Sequence, residues 1–301
     1  MAQVPDEQAL GAGRIPTAAI VTRSRDHLRR NALLALAFTV VLICSAIFVF
    51  PMYWMIATSL KTTPEVFALP PVWWPAKLIL GNYPDALKAF PFWRYAGNTL
   101  QITLPVTLGT TVSSSLVAYG FSRLRWKGRD AVFYLVLATL MIPTWVTLVP
   151  LYILFNNIGW VNTYRPLVVP AFFGDPFSIF LLRQFFLRQP HELVEAARVD
   201  GASHLRVYAQ IILPLARPAL AVVALFAFIA SWTDFFNPLI YLSNPDIYTL
   251  QLGLYAFFGQ HFVNWPGFMA ASVVVLAPIV ILFFLTQKTF IEGITFTGLR
   301  G

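Results

Sequence analysis

Apolar stretches long enough to cross a bilayer alternate along this chain with short charged connections. A helix rises 1.5 Å per residue and needs about 20 apolar residues to span the hydrocarbon core. The first candidate lies between Arg30 and Lys61, the second between Arg94 and Arg123, and the third between Asp130 and Arg165. A fourth runs from Pro166 to Leu182 and is interrupted only by Asp175. A fifth follows Pro218 and meets its first charge at Asp234. The last gap, from Asp246 to Lys288, is broken at Asn264-Trp265-Pro266-Gly267, which leaves one helix from about Phe268 to Gln287. The pattern predicts an all-α, polytopic membrane protein with six transmembrane helices.

Composition agrees with that reading and closes off others. The 301 residues are 58% hydrophobic and only 11% charged, with a mean hydropathy of +0.68. An average soluble domain carries roughly 25% charged residues. So little charge cannot clothe a water-facing surface, which argues against a soluble enzyme or a disordered chain. The net charge is +8. A basic balance is compatible with nucleic acid, but here the cations are dealt out loop by loop. Arg14, Arg23, Arg25, Arg29 and Arg30 precede the first span; Arg123, Arg125, Lys127 and Arg129 follow the second. Arg183, Arg188, Arg198, Arg206 and Arg217 follow the fourth, and Lys288 and Arg300 follow the last. The opposite side keeps Lys61, Lys77, Lys88, Arg94 and Arg165. This bias puts both termini in the cytoplasm. Trp73, Trp74, Trp93, Trp160 and Trp265 then fall near the outer ends of helices, as an aromatic belt requires. The expected division is a cytoplasmic tail over 1–30, a transmembrane domain over 31–287 and a second tail over 288–301. Cys44 is the single cysteine, so no internal disulfide can form. The first apolar run is too long for a secretory leader and is expected to remain as a helix.

The polar loop at 188–214 does not read as membrane. Pro190 pre-sets a helix start and Glu192 suits its positive end. Leu193, Ala196 and Ala197 share a face at i, i+3, i+4. Gly201 offers the left-handed conformation that ends a helix, and Ser203 can cap a second one. Leu205, Tyr208, Ala209 and Ile212 are expected to line one face of that second helix. Pro214 and Pro218 mark the turn into the fifth span. Such a pair either lies on the lipid surface or inserts into another protein's groove.

The residues of this loop carry a specific resemblance. Glu195-Ala196-Ala197, then Asp200-Gly201-Ala202, then Ile212-Leu213-Pro214 resembles the EAA loop of ABC importer permeases. The likeness continues through Thr58-Ser59-Leu60-Lys61, Trp73-Trp74-Pro75, Asn82-Tyr83, Asn98-Thr99 and Ile142-Pro143. It includes Pro150-Leu151-Tyr152, the run 180–186, Trp232 with Asn237-Pro238-Leu239, and the ending from Glu292 to Gly301. Together these are similar to the maltose-type carbohydrate permeases, nearest the second (MalG-like) subunit, over all but the first thirty or so residues. Tyr208 stands where that family more often has Phe, a change expected to matter little. The resemblance implies the type I importer fold in the cytoplasmic membrane. It also implies a second homologous permease, a dimer of ATPase subunits that uses ATP and Mg, and an extracytoplasmic sugar-binding protein. Glu195, Ala196, Ala197, Asp200, Gly201 and Ala202 would then transmit the ATPase's motion. The outer loop from Ser243 to Trp265 resembles one that reaches into the binding protein's cleft.

Chemistry of the chain's own is not evident. No Gly-Lys pair occurs, so a P-loop is absent and ATP hydrolysis is expected of a partner. His27, His191, His204 and His261 do not stand at metal-ligand spacing. No cofactor, metal or catalytic residue is expected. Asp175 either caps a broken helix or lines the pathway; Asp234 is either an idle interfacial charge or the pathway's mouth. Tyr152, Asn156, Trp232, Asn237 and Tyr241 join them as candidate pathway residues, because sugars are held by aromatic faces and polar groups. A secondary carrier or channel working without ATP is the rival reading, and a membrane enzyme a further one. Neither accounts for the loop.

Overall fold

The computed structural model describes residues 17–258 and 263–295, with side chains described over 30–258 and 263–287. Residues 1–16, 259–262 and 296–301 lie outside it, and with them part of the expected tails and of the 243–265 loop. The side chains of Arg14, Arg23, Arg25, His27, Arg29, His261, Lys288 and Arg300 lie outside it as well. Among the described residues the structure is helical, apart from one isolated β-bridge between Phe258 and Val263. Two compact units divide it, Met1–Trp54 and Met55–Gly301.

The first unit holds most of α1 (Thr17–Ser59), which starts inside the stretch assigned to the 1–30 tail. After Arg30 it is apolar all round. Leu33, Phe38, Ile43 and Phe48 are all exposed, a state that water would penalise and lipid accepts. Its Thr39 hydroxyl donates to the Ala35 carbonyl at 2.9 Å, so the polar group needs no outside partner.

The second unit is built on α2 (Phe92–Arg123). It is followed by α3 (Arg129–Thr139), α4 (Thr144–Asn157), α5 (Pro176–Arg188), α6 (His191–Val199), α7 (His204–Val207), α8 (Arg217–Trp232), α9 (Phe236–Tyr241) and α10 (Trp265–Thr295). Among the described residues, four helical stretches are long and apolar enough to span a membrane: Arg30–Ser59, Phe92–Arg123, Arg165–Arg188 and Trp265–Gln287. Two bent pairs raise the number to six, α3 with α4 at 94°, and His204–Leu215 with α8 at 81°. The sequence reading left the third span unbroken. The structure bends it at Pro143, which has no N–H to donate and is itself extended, at ψ 134°. In the fourth span Gly174, at φ +90°, ends a 3-10 turn and Asp175 starts α5.

Packing against α2 organises this unit, with α5 and α8 on its flanks. Several hydroxyls of α2 are satisfied by carbonyls of the helix itself. Thr107 donates to Thr103 O at 2.8 Å, Thr111 to Thr107 O at 2.7 Å, and Ser113 to Gly109 O at 2.6 Å. Gly109 also lets α2 meet the Phe172 ring, since a Cβ there would stand 2.8 Å from that ring. We expect Gly109→Leu to overpack this seam and to destabilise the purified protein by about 1–3 kcal/mol in thermal melting.

At the outer end a strap runs from Leu60 to Asn82. Lys61 is 1% exposed, and its ammonium donates to Val72 O. Burial holds the Lys61 pKa below the ordinary lysine value, partly opposed by the nearby Glu65 carboxylate. The Asn82 amide donates to the Ser59 and Lys61 carbonyls at 2.8 and 2.9 Å. Asn98-Thr99 have the same kind of task. Asn98 donates to Asp246 O and Tyr248 O at 2.9 Å each, and Thr99 Oγ1 accepts from Leu250 N at 2.9 Å. In the described outer loop Leu250, Leu252 and Phe257 are buried, while residues 243–246, Tyr255 and Phe258 are exposed.

Candidate functional site

Helix α6 carries two faces. Val194 and Ala197, with Ala202 just beyond, pack on the cluster formed by Ala118, Tyr119, Leu182, Phe186, Val207 and Ile212. Leu193, Glu195, Ala196, Val199 and Asp200 are exposed, Val199 by 87%. The chain closes α6 with a Schellman pair of hydrogen bonds. Ala202 N donates to Ala197 O at 2.9 Å and Gly201 N to Arg198 O at 3.1 Å. Gly201 supplies the left-handed residue that this motif needs, at φ +81°. The apolar contact that accompanies the motif is Ala197 with Ala202, both against the cluster. In Glu195-Ala196-Ala197 and Asp200-Gly201-Ala202, then, one alanine of each triplet anchors and both acids face out.

The second half of the loop departs from the expected face. Ser203 caps α7 by accepting from Arg206 N at 3.3 Å, as the sequence suggested. Leu205, however, is 72% exposed and Ala209 is exposed, while Val207, Tyr208 and Ile212 are buried. A π-helical turn over Tyr208–Ile212 is the reason. Its i→i+5 bonding shifts the register, so Val207 and Ile212 share a face that 3.6-residue spacing would separate.

The base of the loop is tied to the inner end of α2. Tyr119 OH donates to His204 O at 3.1 Å, and Tyr208 OH bonds Ser115 Oγ at 2.6 Å. Arg123 donates to Gln189 O at 2.7 Å and also to Phe186 O, carbonyls at the negative end of α5. Its other terminal nitrogen meets His191 Nδ1 at 3.2 Å. Sequence reasoning counted Arg123 as an inner charge and passed over Ser115, Tyr119 and Gln189. Helix-spaced polar residues at 115, 119 and 123 were the available signal. Tyr208→Phe should cost about 1 kcal/mol in thermal melting, because the Ser115 hydroxyl keeps its bond to Val112 O at 2.9 Å.

A cavity of about 540 Å³ opens among α2, α5, α8 and α9. It brings together Asp175, Asp234 and Asn237 with Thr110, Ser178 and Ser231. Asp175 also caps α5, accepting from Ser178 N at 2.7 Å. Asp234 accepts from Asn237 N at 3.1 Å and from the Asn237 amide at 2.8 Å. The remaining pathway candidates lie outside its lining. Trp232 is 4% exposed in the outer core, and its indole N–H donates to Val275 O at 3.0 Å. Tyr152 and Tyr241 stack on each other at 6.2 Å, and Asn156 is exposed elsewhere on α4.

The profile of "Binding-protein-dependent transport system inner membrane component" matches residues 110–295. The trehalose/maltose transport permease MalG of Thermococcus litoralis is 36% identical over 92% of this chain and 99% of its own length. The arabinooligosaccharide transport permease AraQ of Halalkalibacterium halodurans is 34% identical over 84% of this chain and 91% of its own. In fold, the chain is similar to one in a bacterial ABC transporter that imports the acidic polysaccharide alginate. The TM-score is 0.75 at 23% identity, over 87% of this chain and 98% of that one.

Proposed function

Because the chain belongs to the binding-protein-dependent transport inner membrane component family, and so is a multi-pass permease of the cell membrane, we propose that it is half of a sugar importer's pore. A second, homologous permease forms the other half. An extracytoplasmic binding protein delivers the sugar, and a pair of ATPase subunits, using ATP and Mg, drives the cycle. This chain takes no part in the hydrolysis.

One observation carries the coupling assignment: α6 presents acids and apolar side chains outward while its other face is fixed to the inner end of α2. An apolar face as small as Leu193, Ala196 and Val199 suits a protein groove better than a lipid surface. Glu195 and Asp200 beside it offer polar pairing with the ATPase. Gly201 sets the bend between the loop's two halves, and Ala197 with Ala202 passes the force to α5, α8 and α2. Asp175, Asp234 and Asn237 line the part of the sugar's path that this subunit supplies.

Affinity purification from membranes tests the assembly. A second permease and an ATPase should copurify with the tagged chain; a chain that purifies alone would support an ATP-independent carrier instead. Asp200→Lys should abolish uptake while leaving the chain in the membrane, measured as transport into cells alongside an immunoblot of the membrane fraction.

A further inference from the structure

The cavity's charge is one-sided. Asp175 and Asp234 both face it, and among the described residues neither carboxylate has an ion-pair partner. Their hydrogen bonds come from neutral donors only: Ser178 N for Asp175, and the backbone and side-chain amides of Asn237 for Asp234. Two carboxylates sharing one cavity with no cation beside them create a negative potential there.

Lipid is not what fills it. Acids within or at the ends of spans face a bundle interior or a water-filled route rather than hydrocarbon. A volume of about 540 Å³ is in the range of small-molecule sites.

We propose that this cavity selects by charge: it admits neutral or amino-bearing sugars and rejects uronate, sulfonate and phosphorylated ones. The inference rests on the pathway assignment made above. Carboxylates accept hydrogen bonds from sugar hydroxyls, and charged acceptors make the stronger ones. The same groups repel an anionic solute at short range, and that repulsion is weakly screened in a cavity bounded by protein. The alginate importer shares this chain's fold and carries an acidic polysaccharide; a cavity lined by Asp175 and Asp234 has the wrong sign for such a cargo. Specificity is thereby set in the membrane as well as in the binding protein.

The test reads the potential directly. Ala230 lines the cavity and is exposed to it. In the full transporter, with Cys44→Ser removing the native thiol, Ala230→Cys is labelled with cationic 2-aminoethyl and anionic 2-sulfonatoethyl methanethiosulfonate. The cationic reagent should be favoured about tenfold beyond its preference for a thiol free in solution. Asp175→Asn with Asp234→Asn should return that ratio to the free-thiol value; asparagine retains both turn-capping acceptors, so the fold survives the change. Labelling by both reagents without charge preference, or a preference indifferent to the two Asp→Asn changes, overturns the charge selection alone. No labelling by either reagent means that the cavity is shut to water, and removes the pathway assignment together with the inference.

Discussion

Gly201→Val should lower binding-protein-stimulated ATP turnover by about tenfold or more while membrane levels stay unchanged, and Gly201→Asn should retain most of the activity. The reason is conformational rather than steric. A Cβ at Gly201 would meet no atom within 4 Å, so space is not at issue. What matters is φ +81°, a region that costs an L-residue roughly 1–2 kcal/mol, more if β-branched, and that asparagine tolerates best. Valine relieves the strain by giving up the Ala202 N to Ala197 O and Gly201 N to Arg198 O bonds that close α6. The exposed acids and apolar residues of 193–200 then lose their fixed attitude relative to the inner cluster. ATP turnover and immunoblotting of reconstituted vesicles measure both halves of the expectation. Equal losses with valine and asparagine would show that Gly201 is needed for its lack of a side chain and not for its backbone.

Arg123→Ala should destabilise the purified protein by about 3 kcal/mol and uncouple ATP hydrolysis from transport. Two hydrogen bonds from a charged donor are lost, each worth about 1.5–3 kcal/mol, and two partly buried carbonyls, Phe186 O and Gln189 O, are left with less than their complement. Those carbonyls end α5 immediately before α6 begins. Without the guanidinium, the loop is held at this end by Tyr119, Tyr208 and the Gln189 amide, which reaches Ile212 O at only 3.5 Å. Arg123→Lys should recover little, because one ammonium cannot reach Phe186 O, Gln189 O and His191 in the planar fork that arginine uses. Differential scanning of the melting transition, together with the ratio of sugar moved to ATP consumed, separates the fold effect from the coupling effect.

The sequence reading reached furthest where the physics is one-dimensional. Span positions follow from charge-free length, and the bounds between Arg94 and Arg123, or between Asp246 and Lys288 after its break, agree closely with the helices observed. The end of α6 at Gly201 and the caps by Asp175 and Ser203 were equally legible, since each depends on residues three or four apart. The bend of α3 against α4 was missed, although Pro143 was visible; a proline states that a break is possible and not how far the chain turns. The buried face of 204–212 was misread because a π-turn changes the period on which helical faces are counted. Tertiary pairing was the least accessible. Nothing local links Ser115 to Tyr208 or Arg123 to Gln189, which meet only because α2 packs against α5 and the loop. Among the pathway candidates, aromatic character drew attention to Trp232 and Tyr241, both of which are buried in packing, whereas Asp175 and Asp234 meet in a cavity that only the crossing of four helices creates.

The central claim is that the 190–214 loop is the surface the ATPase holds, and a photo-crosslinking residue at Val199 tests it most directly. Val199 is 87% exposed beside Asp200. Irradiation of native membranes should give one protein adduct, identified by mass spectrometry as an ATPase subunit, and its yield should change when ATP is added with vanadate. Adducts to lipid alone, or to no ATPase in either nucleotide state, would contradict the account.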